Sequence, residues 1–413
     1  MPFLSSLRAR DRAPFPLLVA MTACGTLGMH IIIPALPATA RALNISVGTV
    51  QLTITLYLIG LALGQLLYGP ISDRFGRRPV LLAGLGLFTA ASTVTAFAPN
   101  AAVLVGGRII QSIGGCAGLV LGRAAVRDGA TADRAAGQLA LLTLVMSMVP
   151  AIAPAIGGYL TAYIHWRASY VLLAVIGGTT LLASILLLPE TNQVRGGGGS
   201  PIAILRGYAR LLRSKAFCGY AIGGACSTTA FYAFMSASPF IFENHLHRKP
   251  QEVGLYYLFL MGGVALGSFL ANRLAGRIAP RHAMRLANGL SILGAGLFTL
   301  ADAAGWETVP TIVGPVALFM VGAGMASPFA LAGAVSVNPQ AIGAASGMYG
   351  FIQMGYGMLC TVVVEAWAPG AIYPVAVVLL SSALAGQVAM SLAAAASARA
   401  EAGGASPPSS RGR

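Results

Sequence analysis

Residues 69–79 read Gly-Pro-Ile-Ser-Asp-Arg-Phe-Gly-Arg-Arg-Pro and set four charges, Asp73, Arg74, Arg77 and Arg78, between two long uncharged runs. Neither Gly48–Ile71 before them nor Val80–Gly107 after them contains Asp, Glu, Lys or Arg. As helices rising about 1.5 Å per residue, both runs reach across a hydrocarbon core of about 30 Å. A charged turn between two such runs lies at a membrane surface. Its three arginines assign it to the cytoplasmic side, where short loops collect Lys and Arg. Gly69 and Pro70 are expected to loosen the end of one helix, Gly76 to let the chain reverse, and Pro79 to open the next helix.

The rest of the chain has the same character. Its 413 residues are 56% hydrophobic and 9% charged, against about a quarter charged in soluble domains. That composition excludes a soluble domain and defines an all-α membrane protein. Apolar segments of spanning length recur at 14–36, 48–71, 79–98, 101–126, 135–162 and 168–189, then at 216–240, 253–275, 284–303, 308–333, 344–366 and 371–396. Twelve spans divide into two bundles, 1–189 and 216–396. Between them lies a cytoplasmic linker, 190–215, with the flexible run Gly196–Ser200 and a basic stretch suited to a short amphipathic surface helix. Residues 397–413, rich in Ala, Gly, Ser and Pro, are expected to form a disordered cytoplasmic tail. A weak echo of the 73–78 turn appears after the eighth span, as Asn272-Arg273-Leu-Ala-Gly276-Arg277. It lacks the acid, which marks it as a degenerate internal repeat.

The net charge of +15 invites a nucleic-acid reading, but its distribution argues for a membrane. With the amino terminus inside, 21 of the 26 Lys and Arg fall in segments on the cytoplasmic side. Arg41, Arg167, Arg248 and Lys249 fall outside, and Arg108 lies within a span. The bias predicts that both termini are cytoplasmic and accounts for the basic charge without nucleic acid. The basic start is followed by a run long enough to span and stay, so no cleavable signal is expected. The five cysteines lie in apolar segments without metal-type spacing and read as packing residues. No Walker-type, nucleophile-elbow or zinc-protease motif is present, so neither an enzyme, a cofactor nor an ATP-driven pump is expected.

The pattern G-x-x-S-D-R-x-G-R-R over Gly69–Arg78 resembles the loop signature between helices 2 and 3 of the major facilitator superfamily. The longer phrase from Gln65 to Pro79 is similar to the bicyclomycin and chloramphenicol resistance branch of its drug:proton antiporters. The resemblance implies twelve membrane helices in two pseudo-symmetric six-helix bundles that rock about a central site. It also implies export of a hydrophobic drug-like molecule in exchange for protons, by a monomer in the bacterial inner membrane. Gly69, Asp73, Arg74, Gly76, Arg77 and Arg78 would form the cytoplasmic gate motif.

Three further phrases bear on this. Arg108 and Gln111, in Gly-Arg-Ile-Ile-Gln of the fourth span, lie three apart on one helical face. An arginine at that depth faces a cavity or partner, or snorkels outward. The phrase resembles the family's R-x-x-Q motif, whose arginine is associated with proton coupling. Pro150, Pro154, Gly157 and Gly158 in the fifth span resemble the antiporter motif. Physically, they predict a kinked helix with close packing at the kink. In the first span, Gly28 to Pro37 resembles a phrase whose relatives carry an aspartate four residues before the first proline, where this chain has His30. Histidine can carry a proton near neutral pH. It can equally be a neutral bundle residue or a substrate contact.

In the second half, Glu365 is the most deeply placed acid. Tyr57, Gln65, Tyr232, Tyr256, Tyr349 and Gln353 are candidates to line a substrate path, with packing as their alternative role. The missing acid of the first span keeps open an uncoupled facilitator or metabolite exporter. A membrane sensor or scaffold that moves nothing is the rival from another class.

Overall fold

The computed structural model describes residues 13–128, 132–192, 201–337 and 342–404. Twelve membrane helices are numbered α1–α12 here, and a surface helix, Pro201–Arg213, joins the two sets of six. The first set is α1 (Phe15–His30, a 3-10 turn at Ile33–Ala35, then Leu36–Leu43), α2 (Val47–Phe75), α3 (Arg77–Ala96), α4 (Ala101–Asp128), α5 (Ala132–Tyr163) and α6 (Ala168–Leu187). The second is α7 (Lys215–Thr229, Phe231–Phe240 and a π turn at Ile241–His245), α8 (Pro250–Leu274), α9 (Pro280–Ala303), α10 (Val309–Ser336), α11 (Ile342–Trp367) and α12 (Ile372–Gly404).

Prolines explain where the helices break. Pro34 and Pro37 supply no amide hydrogen, so α1 tightens to a 3-10 turn between its two pieces. Among the described residues, eleven helices are each long and apolar enough to cross a membrane. The seventh span is the exception, because it is broken at Ala230 and its longest piece has 15 residues. Two expected boundaries move. Helix α2 carries on through Pro70 to Phe75, beyond the expected end at 71. Helix α12 runs to Gly404, into the stretch expected as a disordered tail, because its alanines favour helix strongly. The Gly196–Ser200 run lies outside the described residues. The basic stretch after it is the helix Pro201–Arg213, as expected.

The two sets repeat one packing pattern. Helix α4 contacts α1, α2 and α3 while α3 also contacts α6; likewise α10 contacts α7, α8 and α9 while α9 contacts α12. The turn after α2 and the turn after α8 each use a glycine at positive φ, Gly76 at 97° and Gly276 at 77°. Large apolar side chains such as Leu182 and Leu186 on α6 and Phe269 on α8 point outward. Ser92, Arg108, Gln111 and Asn288 are buried inside. Polar inside and apolar outside is the arrangement a lipid solvent selects.

Candidate functional site

The 69–79 stretch forms a tighter structure than a charged loop. Asp73 and Arg74 occupy the last turn of α2, and Gly76 alone connects it to α3. Arg77 pairs with Asp73 at 2.7 Å and with Asp128 at the end of α4 at 3.2 Å, and it also donates to the Ser72 hydroxyl. The start of α3 has unpaired amides. The Glu190 carboxylate caps two of them, those of Arg77 (2.9 Å) and Arg78 (3.3 Å). The Asn192 amide donates to the carbonyls of Ser72 and Asp73 at the end of α2. The segment after α6 thus clamps both sides of the turn. Sequence reasoning placed Glu190 only at a helix end. The available signal was its rarity, as one of 11 acids, combined with a basic turn on the same side.

Gly76 has φ 97° and ψ 152°, a region open essentially to glycine, and a Cβ there would lie 2.5 Å from Glu190 Oε2. Gly76→Ala is expected to lose about 2 kcal/mol of stability from backbone strain and a displaced cap. Thermal unfolding in detergent measures this, and a melting curve unchanged from wild type would refute the cap.

Beside this turn a cavity of about 610 Å³ opens between α2, α4 and α11, beneath the surface helix. Asp73, Arg77, Arg123 and Arg127 line it from the first set, Tyr208 from the surface helix, and Gly343 and Gly347 from α11. The charged lining is therefore predominantly basic. Pro70 on its wall cannot donate to Leu66, leaving that carbonyl free within α2. The Tyr208 hydroxyl fills the vacancy at 3.1 Å, and burial together with the Asp73 carboxylate pushes the Tyr208 phenol up, which keeps it a donor. The same device recurs at Pro239, where the Tyr257 hydroxyl donates to the Met235 carbonyl at 3.3 Å.

Arg108 is wholly buried. It does not snorkel. Its guanidinium donates to the Gly28 carbonyl of α1 at 2.8 Å, to the Thr53 carbonyl of α2 at 3.3 Å and to the Gln111 side chain, and it stacks 4.0 Å above the Tyr57 ring. Gln111 in turn donates to the Ser92 hydroxyl of α3 at 2.7 Å. Four helices are tied to one cation. Nη2 has no hydrogen-bond partner, and among the described residues no carboxylate pairs with this arginine. His30 is 6% exposed, and its Nδ1 lies 2.8 Å from the Thr26 carbonyl, so Nδ1 carries hydrogen. Its ring turns back along α1, and no hydrogen bond joins it to Arg108.

The side remote from the Asp73 turn is shut. Pro150 and Pro154 lie within α5. Beyond them, a Cβ on Gly157 would overlap the Ile31 carbonyl of α1, and one on Gly158 would lie 2.5 Å from the Pro250 carbonyl of α8. Across the two sets, Gln51 donates to the Ser236 carbonyl at 3.0 Å, Thr55 meets Glu365 at 2.6 Å, and Arg41 pairs with Glu243. None of these partners was legible in the sequence.

The six candidates for a substrate path separate. Gln65 lines the cavity and rests against Gly350 of α11. Gln353 donates to the Thr228 hydroxyl at 2.9 Å and to Tyr349 at 3.3 Å, while Tyr349 is buried against Gly224. Tyr232 packs on Gly357, Tyr57 lies under Arg108, and Tyr256 meets the Phe242 ring at a tilt near the shut side. In this state only Gln65 of the six borders the cavity.

Two pseudo-symmetric six-helix sets, sealed together on one side and hollow on the other, form the architecture of a secondary transporter. The chain belongs to the Major Facilitator Superfamily, whose sequence profile matches residues 18–361. It is 31% identical over 350 residues to multidrug resistance protein D of Escherichia coli (strain K12), covering 84% of this chain and 86% of the relative. It is 32% identical over 334 residues to a chloramphenicol resistance protein of Pseudomonas aeruginosa, covering 79% and 74%. The crystal structure of the nucleoside transporter NupG superposes with a TM-score of 0.71 over 93% of this chain and 98% of that one. At 14% identity, that likeness concerns the fold alone. The protein is a multi-pass membrane transporter of this superfamily.

Proposed function

We propose that the protein exports hydrophobic, uncharged drug-like molecules from the cytoplasm in exchange for protons. The observation that carries the reading is the asymmetry of access, with the α5–α8 and α2–α11 contacts shut on one side and a cavity open beside Asp73 on the other. The basic bias of loops assigns the open side to the cytoplasm. Rocking of the two sets would close the Asp73 side and open the other, moving a bound molecule outward. The superfamily and its drug-resistance relatives support a drug as cargo, and the resemblance of the Arg108 and Pro150–Gly158 motifs supports antiport. Asp73 and Arg77 would latch the cytoplasmic side, and Arg108 with Gln111 would hold the helices that respond to proton or drug.

The lining of the cavity supports a preference for uncharged cargo. Three arginines line it with one aspartate, and Asp128 pairs with Arg77 and Arg127 at its edge, which still leaves a net positive charge, so a cation meets repulsion and a neutral ring system does not. In liposomes with an imposed pH gradient, labelled chloramphenicol-type drug is expected to move against the proton flow. A lipophilic cation of ethidium type should move at least about tenfold more slowly, the ratio given by ~1.4 kcal/mol of unfavourable charge contact. Drug that equilibrates without regard to the gradient would replace antiport with uncoupled facilitation, the reading favoured by His30 where relatives carry an acid.

A further inference from the structure

We propose that Glu365 is a proton-binding site of the outer gate, which shuts when Glu365 is protonated and is released when it is ionised. This rests on the transporter reading and supplies the acid that the first span lacks. Glu365 lies on α11 and its carboxyl reaches Thr55 of α2, so the contact joins the two halves. Thr55 is eight residues, about 12 Å, inside the start of α2 at Val47. Glu365 itself lies two residues before the end of α11 at Trp367, so the contact is part of the seal close to its rim.

Counting hydrogens along the contact favours the protonated acid. Thr55 Oγ1 lies 2.6 Å from the Glu365 carboxylate and 2.8 Å from Thr361 Oγ1, and Thr361 donates its own hydrogen to the Met358 carbonyl at 2.7 Å. Thr55 has one hydrogen for two acceptors. With Glu365 ionised, Thr55 gives its hydrogen to the carboxylate and stops donating to Thr361, so the bond between the two threonines survives only if Thr361 turns away from Met358. With Glu365 protonated the chain closes: Glu365 donates to Thr55, Thr55 to Thr361, and Thr361 to Met358. One proton taken from outer-side water completes three consecutive bonds as the halves meet. Loss of that proton to water leaves the carboxylate ionised and releases the gate.

The surroundings leave Glu365 without a competing charge. Helix α2 carries no charged residue from Val47 to Ile71, and α10 carries none at all. The charges of α12 begin at Arg399, and those of the surface helix lie at the opposite end of α11. Around α11 within the membrane, the titratable groups on α2, α7 and α11 are phenols and thiols, among them Tyr57, Tyr232, Tyr356, Cys226 and Cys360. At the rim, Glu243 of α7 pairs with Arg41, and His245 pairs with Glu307 at 3.5 Å.

The test places spin labels at Phe97→Cys and Trp306→Cys, both exposed at the shut ends of the two halves, in a background without the native cysteines. In the purified full-length protein, the ratio of short to long distances should rise as pH falls, by up to roughly tenfold per pH unit for one linked proton. Glu365→Gln, whose amide can donate to Thr55, should stay shut at every pH, and His245→Gln should titrate as the parent does. A parent ratio that ignores pH, or a Glu365→Gln ratio that titrates like the parent, overturns the proposal. Gradient-driven drug transport is measured separately. If transport ignores the gradient while the gate still titrates through Glu365, antiport fails and this site stands.

Discussion

Arg108→Ala is expected to abolish drug transport and to lower stability by about 3 kcal/mol or more. The guanidinium is wholly buried and supplies hydrogen to carbonyls on α1 and α2 and to Gln111 on its own helix. Its removal strands buried acceptors, and a lost bond to a charged donor costs about 1.5–3 kcal/mol. It also frees Gln111, whose bond to Ser92 brings in α3. Arg108→Lys separates structure from coupling. A lysine keeps the charge but presents a point donor instead of a planar fork, so it cannot reach Gly28, Thr53 and Gln111 together. The Lys variant is expected to fold, to retain drug binding, and to lose most gradient-driven flux. Binding by fluorescence quenching and flux in the same liposomes measure both properties. Wild-type flux in Arg108→Ala would remove this residue from the mechanism altogether.

Gly158→Leu is expected to hold the outer side open. Gly158 of α5 meets the backbone of Pro250 and Gln251 of α8, and Gly254 of α8 meets Pro154 and Ala155 in return. A leucine placed where a single Cβ already comes within 2.5 Å of a carbonyl oxygen cannot be absorbed by rotating a neighbouring side chain. The halves must part there, which favours the arrangement open on that side, the outward-open one of the proposed cycle, and removes the alternation that cycle requires. Gly157→Leu should behave differently, because Gly157 faces Ile31 of α1 within the same half. There the cost falls on stability rather than on the balance of states. Cysteine accessibility from the outer side, with melting temperature alongside, distinguishes them. A Gly158→Leu protein that labels from outside no faster than wild type would show that this contact does not form the gate.

Much of the architecture was legible because a bilayer imposes local rules. Length, apolarity and the placement of arginines are properties of contiguous sequence, and they predicted twelve spans, eleven of which the described residues form as helices long and apolar enough to cross a membrane, and a helix in the basic stretch at Pro201–Arg213. Arg108 and Gln111 were legible as a pair because three residues along a helix share a face. Helix ends were less so. Proline at 70 suggested a terminus, but Tyr208 satisfies the freed carbonyl from outside and the helix runs on to Phe75. His30 left three roles open in the sequence, and only the structure showed its ring bonded to its own helix at Thr26.

By itself the sequence determined the class of the protein, its division into two repeated halves and the residues of the charged turn, since each follows from partitioning between water and lipid. The tertiary structure alone decided that Glu190 caps α3, that Arg41 meets Glu243, that Gly158 rests on Pro250 and that Glu365 reaches Thr55. These partners stand about 90 to 310 residues apart, a separation over which helical periodicity carries no information. Each depends on which faces two helices turn toward each other, and packing of the whole bundle sets that.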